Sequence, residues 1–147
     1  MPRPAGQLAS FRIYPEPASA LYFRVRVFAS EAALALYVAA DDLARPLPQG
    51  TRALCTRWTR DRRLANGRTR LLPDLGEILL TRGAIDAEVI SHECTHAAIG
   101  WAQRVGLSPF REPHPACASP DEERFCYGVG RLTAQIVTTL TARALLP

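Results

Sequence analysis

Residues 92–96 read His-Glu-Cys-Thr-His, inside a stretch whose apolar residues recur at helical spacing. That pairing constrains the chain more than any other feature. Positions i and i+4 lie on one face of a helix, so a helix through this segment brings His92 and His96 side by side. The stretch Ile85 to Val105 carries Val89, Ile90, Ala97, Ile99 and Trp101 as its apolar positions. Asp86 and Glu88 stand at its front and Arg104 near its end, the arrangement that complements a helix dipole. Gly106 follows as a stop signal, with Pro109 just beyond. Two imidazoles converging from one helical face can hold one zinc ion, and Glu93 between them is placed to take a proton from a water molecule. Cys94 projects away from the His92/His96 face and reads as core filler.

The other elements follow from local patterns. Phe11 to Tyr14 and Tyr22 to Phe28 read as strands, the second alternating Phe23, Val25 and Val27 against Tyr22, Arg24, Arg26 and Phe28. Ser30 and Glu31 open a helix that runs to about Ala40. Pro46 and Pro48 mark a loop, Thr51 to Arg60 reads as a strand, and Asn66-Gly67 signals a tight turn towards another. Leu75 to Thr81 is a further strand, directly before the motif helix, and an extended peptide is expected to add along its edge. Four prolines make the segment 107–120 a loop. Asp121 to Leu145 reads as a long helix, capped by Ser119 or Asp121, with Pro120 in its first turn. The expectation is an α+β fold: a small, mostly antiparallel sheet packed on the motif helix and on a second long C-terminal helix. The 147 residues suit a single domain, 1–147.

Composition excludes some classes. No run of about 18 apolar residues exists, so no membrane span is expected. The amino terminus lacks the apolar core of a secretory signal, and Cys55, Cys94, Cys117 and Cys126 have no paired spacing; reduced thiols and a cytoplasmic location are the expectation. The net charge of +4 arises from 18 arginines without a lysine, and seven of them fall between Arg52 and Arg70. Such density suits phosphate or an acidic partner, which keeps a nucleic-acid partner as an alternative to a protein or peptide substrate.

A catalytic zinc has three protein ligands, and two histidines leave one to find. His114, Cys117, Asp121, Glu122 and Glu123 are the downstream candidates. Metzincin spacing would demand a histidine at position 102, which is alanine, and a later methionine, whereas the only methionine is Met1. Glu123 is the preferred ligand. Cys126, Tyr127 and Gly130 would then lie beneath it, on a face of small residues turned towards the motif helix; Glu122 is the nearest rival.

His92-Glu93-x-x-His96 followed by Glu123, with Cys126 three residues on and Val129-Gly130 beyond, resembles the gluzincin branch of zinc metallopeptidases. Within that branch it is similar to the compact ImmA/IrrE family of bacterial and phage peptidases. The resemblance covers roughly residues 75 to 140, without the helix-turn-helix domain that often accompanies it. It implies a minimal zincin-like fold, one Zn2+ held by His92, His96 and Glu123, and peptide hydrolysis with Glu93 as general base. It also implies that His114 or Tyr127 supports the reaction, as proton donor or oxyanion partner. His114 in place of Glu123 as third ligand would resemble the SprT-like proteases instead. Asp86 and Asp121 are candidates to orient the ligand histidines, and Arg131 to meet an oxyanion. A non-catalytic or DNA-associated protein of zincin shape, working through Arg52–Arg70, is the alternative reading.

Overall fold

The computed structural model describes residues 3–40, 47–48, 50–57, 61–63, 69–109 and 118–146, and side chains throughout these except in 61–63 and 69–71. It is α+β. Strands β1 (Gln7–Ile13), β2 (Tyr22–Phe28), β3 (Ala53–Arg57) and β6 (Asp74–Thr81) form a mixed sheet in the order β1-β2-β6-β3. The β1–β2 and β3–β6 pairs are antiparallel and the β2–β6 pair is parallel. Strands β4 (Asp61–Arg63) and β5 (Thr69–Leu71) pair antiparallel as a separate ribbon. The expected Asn66-Gly67 turn joins β4 to β5 in sequence and lies outside the described residues.

Alternation in β2 gives the sheet its two faces. Phe23, Val25 and Val27 are fully buried in the main core, against helices α2 (Ala87–Val105) and α3 (Pro120–Ala142). Phe28 points to the opposite face, where Leu79 joins Leu34 and Val38 of α1 (Glu31–Ala39) in a smaller core. Strand β6 is buried on both faces, as the central position demands. The buried Glu77 on its α1 side is neutralised in place: Arg26 Nε donates to it at 2.8 Å and the Tyr37 hydroxyl at 2.7 Å. Burial, and then the bond to Glu77, pushes the Tyr37 phenol up to about 12. A carboxylate inside a sheet face persists only with such partners.

The two long helices start where their caps dictate. Asp86 accepts the Val89 N–H at 2.7 Å, and Ser119 accepts the Glu122 N–H at 3.1 Å with Pro120 beside it. Helix α2 ends at Gly106, whose left-handed φ of 74° lets the chain turn away. Helix α3 buries Phe125, Gly128, Leu132, Ile136 and Leu140, a stripe of helical period. It is held to β1 by Gln135, whose side chain accepts the Tyr14 N–H at 3.1 Å and donates to the Tyr14 carbonyl at 2.8 Å.

One contact in the seam between α2 and α3 is especially close. A Cβ at Gly128 would stand 2.5 Å from Trp101 Cζ3, so the indole occupies the space a side chain would take. Gly130, two residues on, faces open space. Gly128→Ala should therefore cost about 1–3 kcal/mol through overpacking. Gly130→Ala should be neutral or stabilising by up to roughly 1 kcal/mol, because glycine is a poor helix former. Urea unfolding of the two variants checks the contrast, and equal effects would contradict this seam.

Candidate metal and catalytic site

The rotation of α2 about its axis decides where its motif points. Ile90, Cys94, Ala97, Ala98 and Trp101 face the core, which leaves His92 and His96 exposed on the opposite side. Their rings sit edge to face with centroids 4.7 Å apart, and the two Nε2 atoms are 3.1 Å apart. At that distance one ring's N–H donates to the other's lone pair, or both lone pairs converge on a shared cation. Two imidazoles bound tetrahedrally to one zinc at about 2.0–2.1 Å hold their nitrogens roughly 3.3 Å apart. The donor pair fits such an ion.

Glu93 lies on the boundary between this exposed face and the core. It is only 7 % exposed, and its carboxylate accepts the backbone N–H of Cys55 in β3. Burial raises its carboxyl above the ordinary value near 4.5, against the opposing pull of His92, His96 and the Cys55 N–H. Strand β3 can come this close because Gly100 leaves room for the Arg57 side chain: a Cβ there would meet Arg57 Cδ at 2.5 Å. A cavity of about 240 Å³ opens beside the motif, between Gly50, Arg52 and Ala53 on one side and Asp86, Val89, His92 and Glu93 on the other. Burial pushes the Cys55 thiol up to about 12 and the Cys94 thiol up to about 11 in the metal-free protein.

The anticipated partners on α3 are placed elsewhere. Cys94 bonds the Thr133 side chain and Trp101 meets Gly128, so α2 and α3 run antiparallel and the start of α3 lies beyond the end of α2. Asp121 confirms this, since its carboxylate accepts the Ser108 N–H at 2.8 Å rather than orienting a histidine. Taking either contact as level, His96 and Glu123 lie roughly 12–15 Å apart along the helix axes. Glu123 also points away from α2. It lines an outer groove with Cys126, Tyr127, Gly130 and Arg131, and the expectation that this face turns to the motif helix is corrected. Gly128, not Gly130, makes the close approach. Tyr127 is 74 % exposed on that outer face, and neither it nor Arg131 is brought to the histidines. Glu122 shares the distant first turn of α3. Asp86 borders the cavity, but its carboxylate serves as helix cap and sits 3.7 Å from Arg52. No group of three or more His, Cys, Asp or Glu that could hold a metal occurs among the described residues, and His114 and Cys117 lie outside them.

Strand β6 is likewise not the edge expected for peptide addition, because β2 and β3 flank it. The edge beside the motif belongs to β3. Its contact with Glu93 through Cys55 was not visible in the sequence, since nothing local to residues 53–57 announces a partner 38 positions away. No protein-family profile, curated protein or solved structure matches the chain.

Glu93 makes the stability of the metal-free protein depend on pH. A raised folded-state value means the native state holds the proton more tightly than the unfolded chain, so the contribution of this group is fully present at low pH and is lost as pH rises from the unfolded value through the folded one. Glu93→Gln, unable to ionise, should therefore melt higher than wild type at neutral pH in chelator, and the gain should vanish below about pH 4, where the unfolded chain is also protonated. Melting curves across pH check this; a gain that persists in acid would contradict it.

Proposed function

We propose that the protein is a zinc-dependent metallopeptidase in which His92 and His96 hold the ion and Glu93 is the general base. The observation that carries this reading is the pair of Nε2 atoms 3.1 Å apart with a buried carboxylate on the adjoining helical position. A zinc ion held there would polarise the scissile carbonyl and acidify water. Glu93 would take the proton from the attacking water and deliver it to the leaving amine nitrogen. Its burial favours the protonated form between those two transfers. The Cys55 N–H fixes the carboxylate, so that the free oxygen lone pairs point consistently. A peptide extended along β3, the sheet edge beside the motif, would present its backbone next to Glu93.

The third ligand is tested by substitution. Glu123→Ala should leave zinc affinity unchanged, given its separation from His96, whereas His92→Ala or His96→Ala should abolish binding. His114→Ala in the same titration tests the remaining histidine. Calorimetric zinc titration checks all four, and strong loss on Glu123→Ala would restore the original assignment. Glu93→Gln should keep zinc yet lose roughly 100- to 10,000-fold in hydrolysis of a peptide library, the usual cost of removing a general base. Wild-type protein that binds zinc and cleaves nothing would sink the peptidase reading.

A DNA-associated reading rests on a different element. The β4–β5 ribbon sets Arg62 in register with Arg70, within the arginine-rich stretch Arg52–Arg70. Salt-sensitive DNA binding lost in Arg62→Glu/Arg70→Glu would favour it.

A further inference from the structure

Strand β3 is the last strand of its sheet among the described residues, so one side of its backbone has no strand partner there. Which residues face that side follows from the register. The Thr81 N–H donates to the Arg52 carbonyl at 3.2 Å, and Leu54 and Thr56 stand opposite Leu79 and Glu77. Arg52, Leu54 and Thr56 therefore turn their N–H and C=O groups to β6, while Ala53, Cys55 and Arg57 turn theirs outward. Of these outward donors the Cys55 N–H is already engaged, by the Glu93 carboxylate.

Strand and helix run side by side in the same sense. Ala53 and Val89 border one cavity, Cys55 meets Glu93, and the Arg57 side chain lies against Gly100. The midpoint between His92 and His96 is about 7.5 Å beyond Val89 along the helix axis. Cys55 is about 7 Å beyond Ala53 along the strand, so it stands level with the imidazole pair. A peptide paired with Ala53 alone stops short of that level. One that carries a peptide bond across the histidines has to pass Cys55, and a regular ladder there needs the Cys55 N–H.

Resting on the peptidase reading, we infer that the Cys55 N–H is a shared donor. It holds Glu93 in the peptide-free protein, and a substrate carbonyl takes it over when an extended peptide adds to β3. The exchange keeps the donor satisfied throughout, as its half-buried position requires. It also turns the carboxylate off β3 towards the side where His92 and His96 stand, with both oxygens free to accept a proton. Peptide binding and release of the general base are then one event, and Glu93 stays restrained until a substrate strand is in place. The exchanging partners are main chain, so the device acts on any extended peptide rather than on one sequence.

Two variants without the base isolate the exchange. In Glu93→Gln the side-chain carbonyl still accepts the Cys55 N–H, whereas in Glu93→Ala nothing competes with a peptide for it. Fluorescence anisotropy with a fluorescein-labelled peptide library reads the difference on zinc-loaded protein. Glu93→Ala should bind about two- to tenfold more tightly than Glu93→Gln, the worth of one hydrogen bond. Adding Cys55→Pro to each should abolish that difference. Proline suits an edge strand where the lost N–H faces away from the ladder, and Cys55→Ala, which keeps the N–H, controls for loss of the thiol. In the otherwise wild-type protein, Cys55→Pro should raise KM for hydrolysis of the library and retain kcat. Equal binding by the two Glu93 variants overturns the exchange. So does a Cys55→Pro variant that lowers kcat at unchanged KM, since the donor then serves Glu93 throughout. A library that wild type leaves uncleaved overturns the peptidase reading itself, and the exchange with it.

Discussion

Helix α2 has one stripe to bury, and everything at the candidate site depends on how that stripe is seated. Trp101 is the key to the seat. Its indole fills the notch at Gly128, while Gly100, on a neighbouring face, admits the Arg57 side chain from β3. With the helix clamped on those two sides, Ile90, Cys94 and Ala97 are committed to the core. The motif histidines are then committed to the outside. Glu93 falls between the two regimes, with exposed His92 on one side and buried Cys94 on the other, which is why its carboxylate is itself buried. Burial of Trp101 contributes several kcal/mol on the usual scale for a large aromatic, ample to hold one helical rotation against alternatives.

Much of this was legible in the chain. The alternation of β2 gave both its bounds and its two faces, because period-two burial admits no other register without exposing Phe23, Val25 and Val27. Ser30 announced one helix start, Ser119 was one of two caps offered for another, and Gly106 marked one helix end, since caps are local chemistry, whereas Asp86 reads as a first-turn acid and proves to be the cap of α2. The i, i+4 pairing of His92 and His96 needed only helical geometry. What failed were judgements about partners distant in sequence. Gly128 and Gly130 stand two residues apart on nearly opposite faces of α3, and each offers a plausible close approach. Only the position of Trp101 decides between them, and with it which face is inward and where Glu123 points. The placement of β3 at the sheet edge was hidden for a similar reason: strand order is set by long-range pairing, and β6 reads the same whether central or peripheral.

The arrangement carries a cost that suits its proposed work. A buried carboxylate beside two exposed imidazoles is unfavourable in the metal-free protein, where among the described residues the flanking rings and the Cys55 N–H compensate its charge. A cation at the imidazole pair would relieve that cost. On the proposed reading, metal binding and the protonation of Glu93 would be linked through one local field.

Zinc X-ray absorption of protein purified without chelator tests the central claim most directly. The account predicts zinc in a shell of nitrogen and oxygen donors at about 2.0–2.1 Å with the scattering signature of at least two imidazoles. Protein that takes up no zinc, or zinc in a sulfur shell at about 2.3 Å, would contradict it.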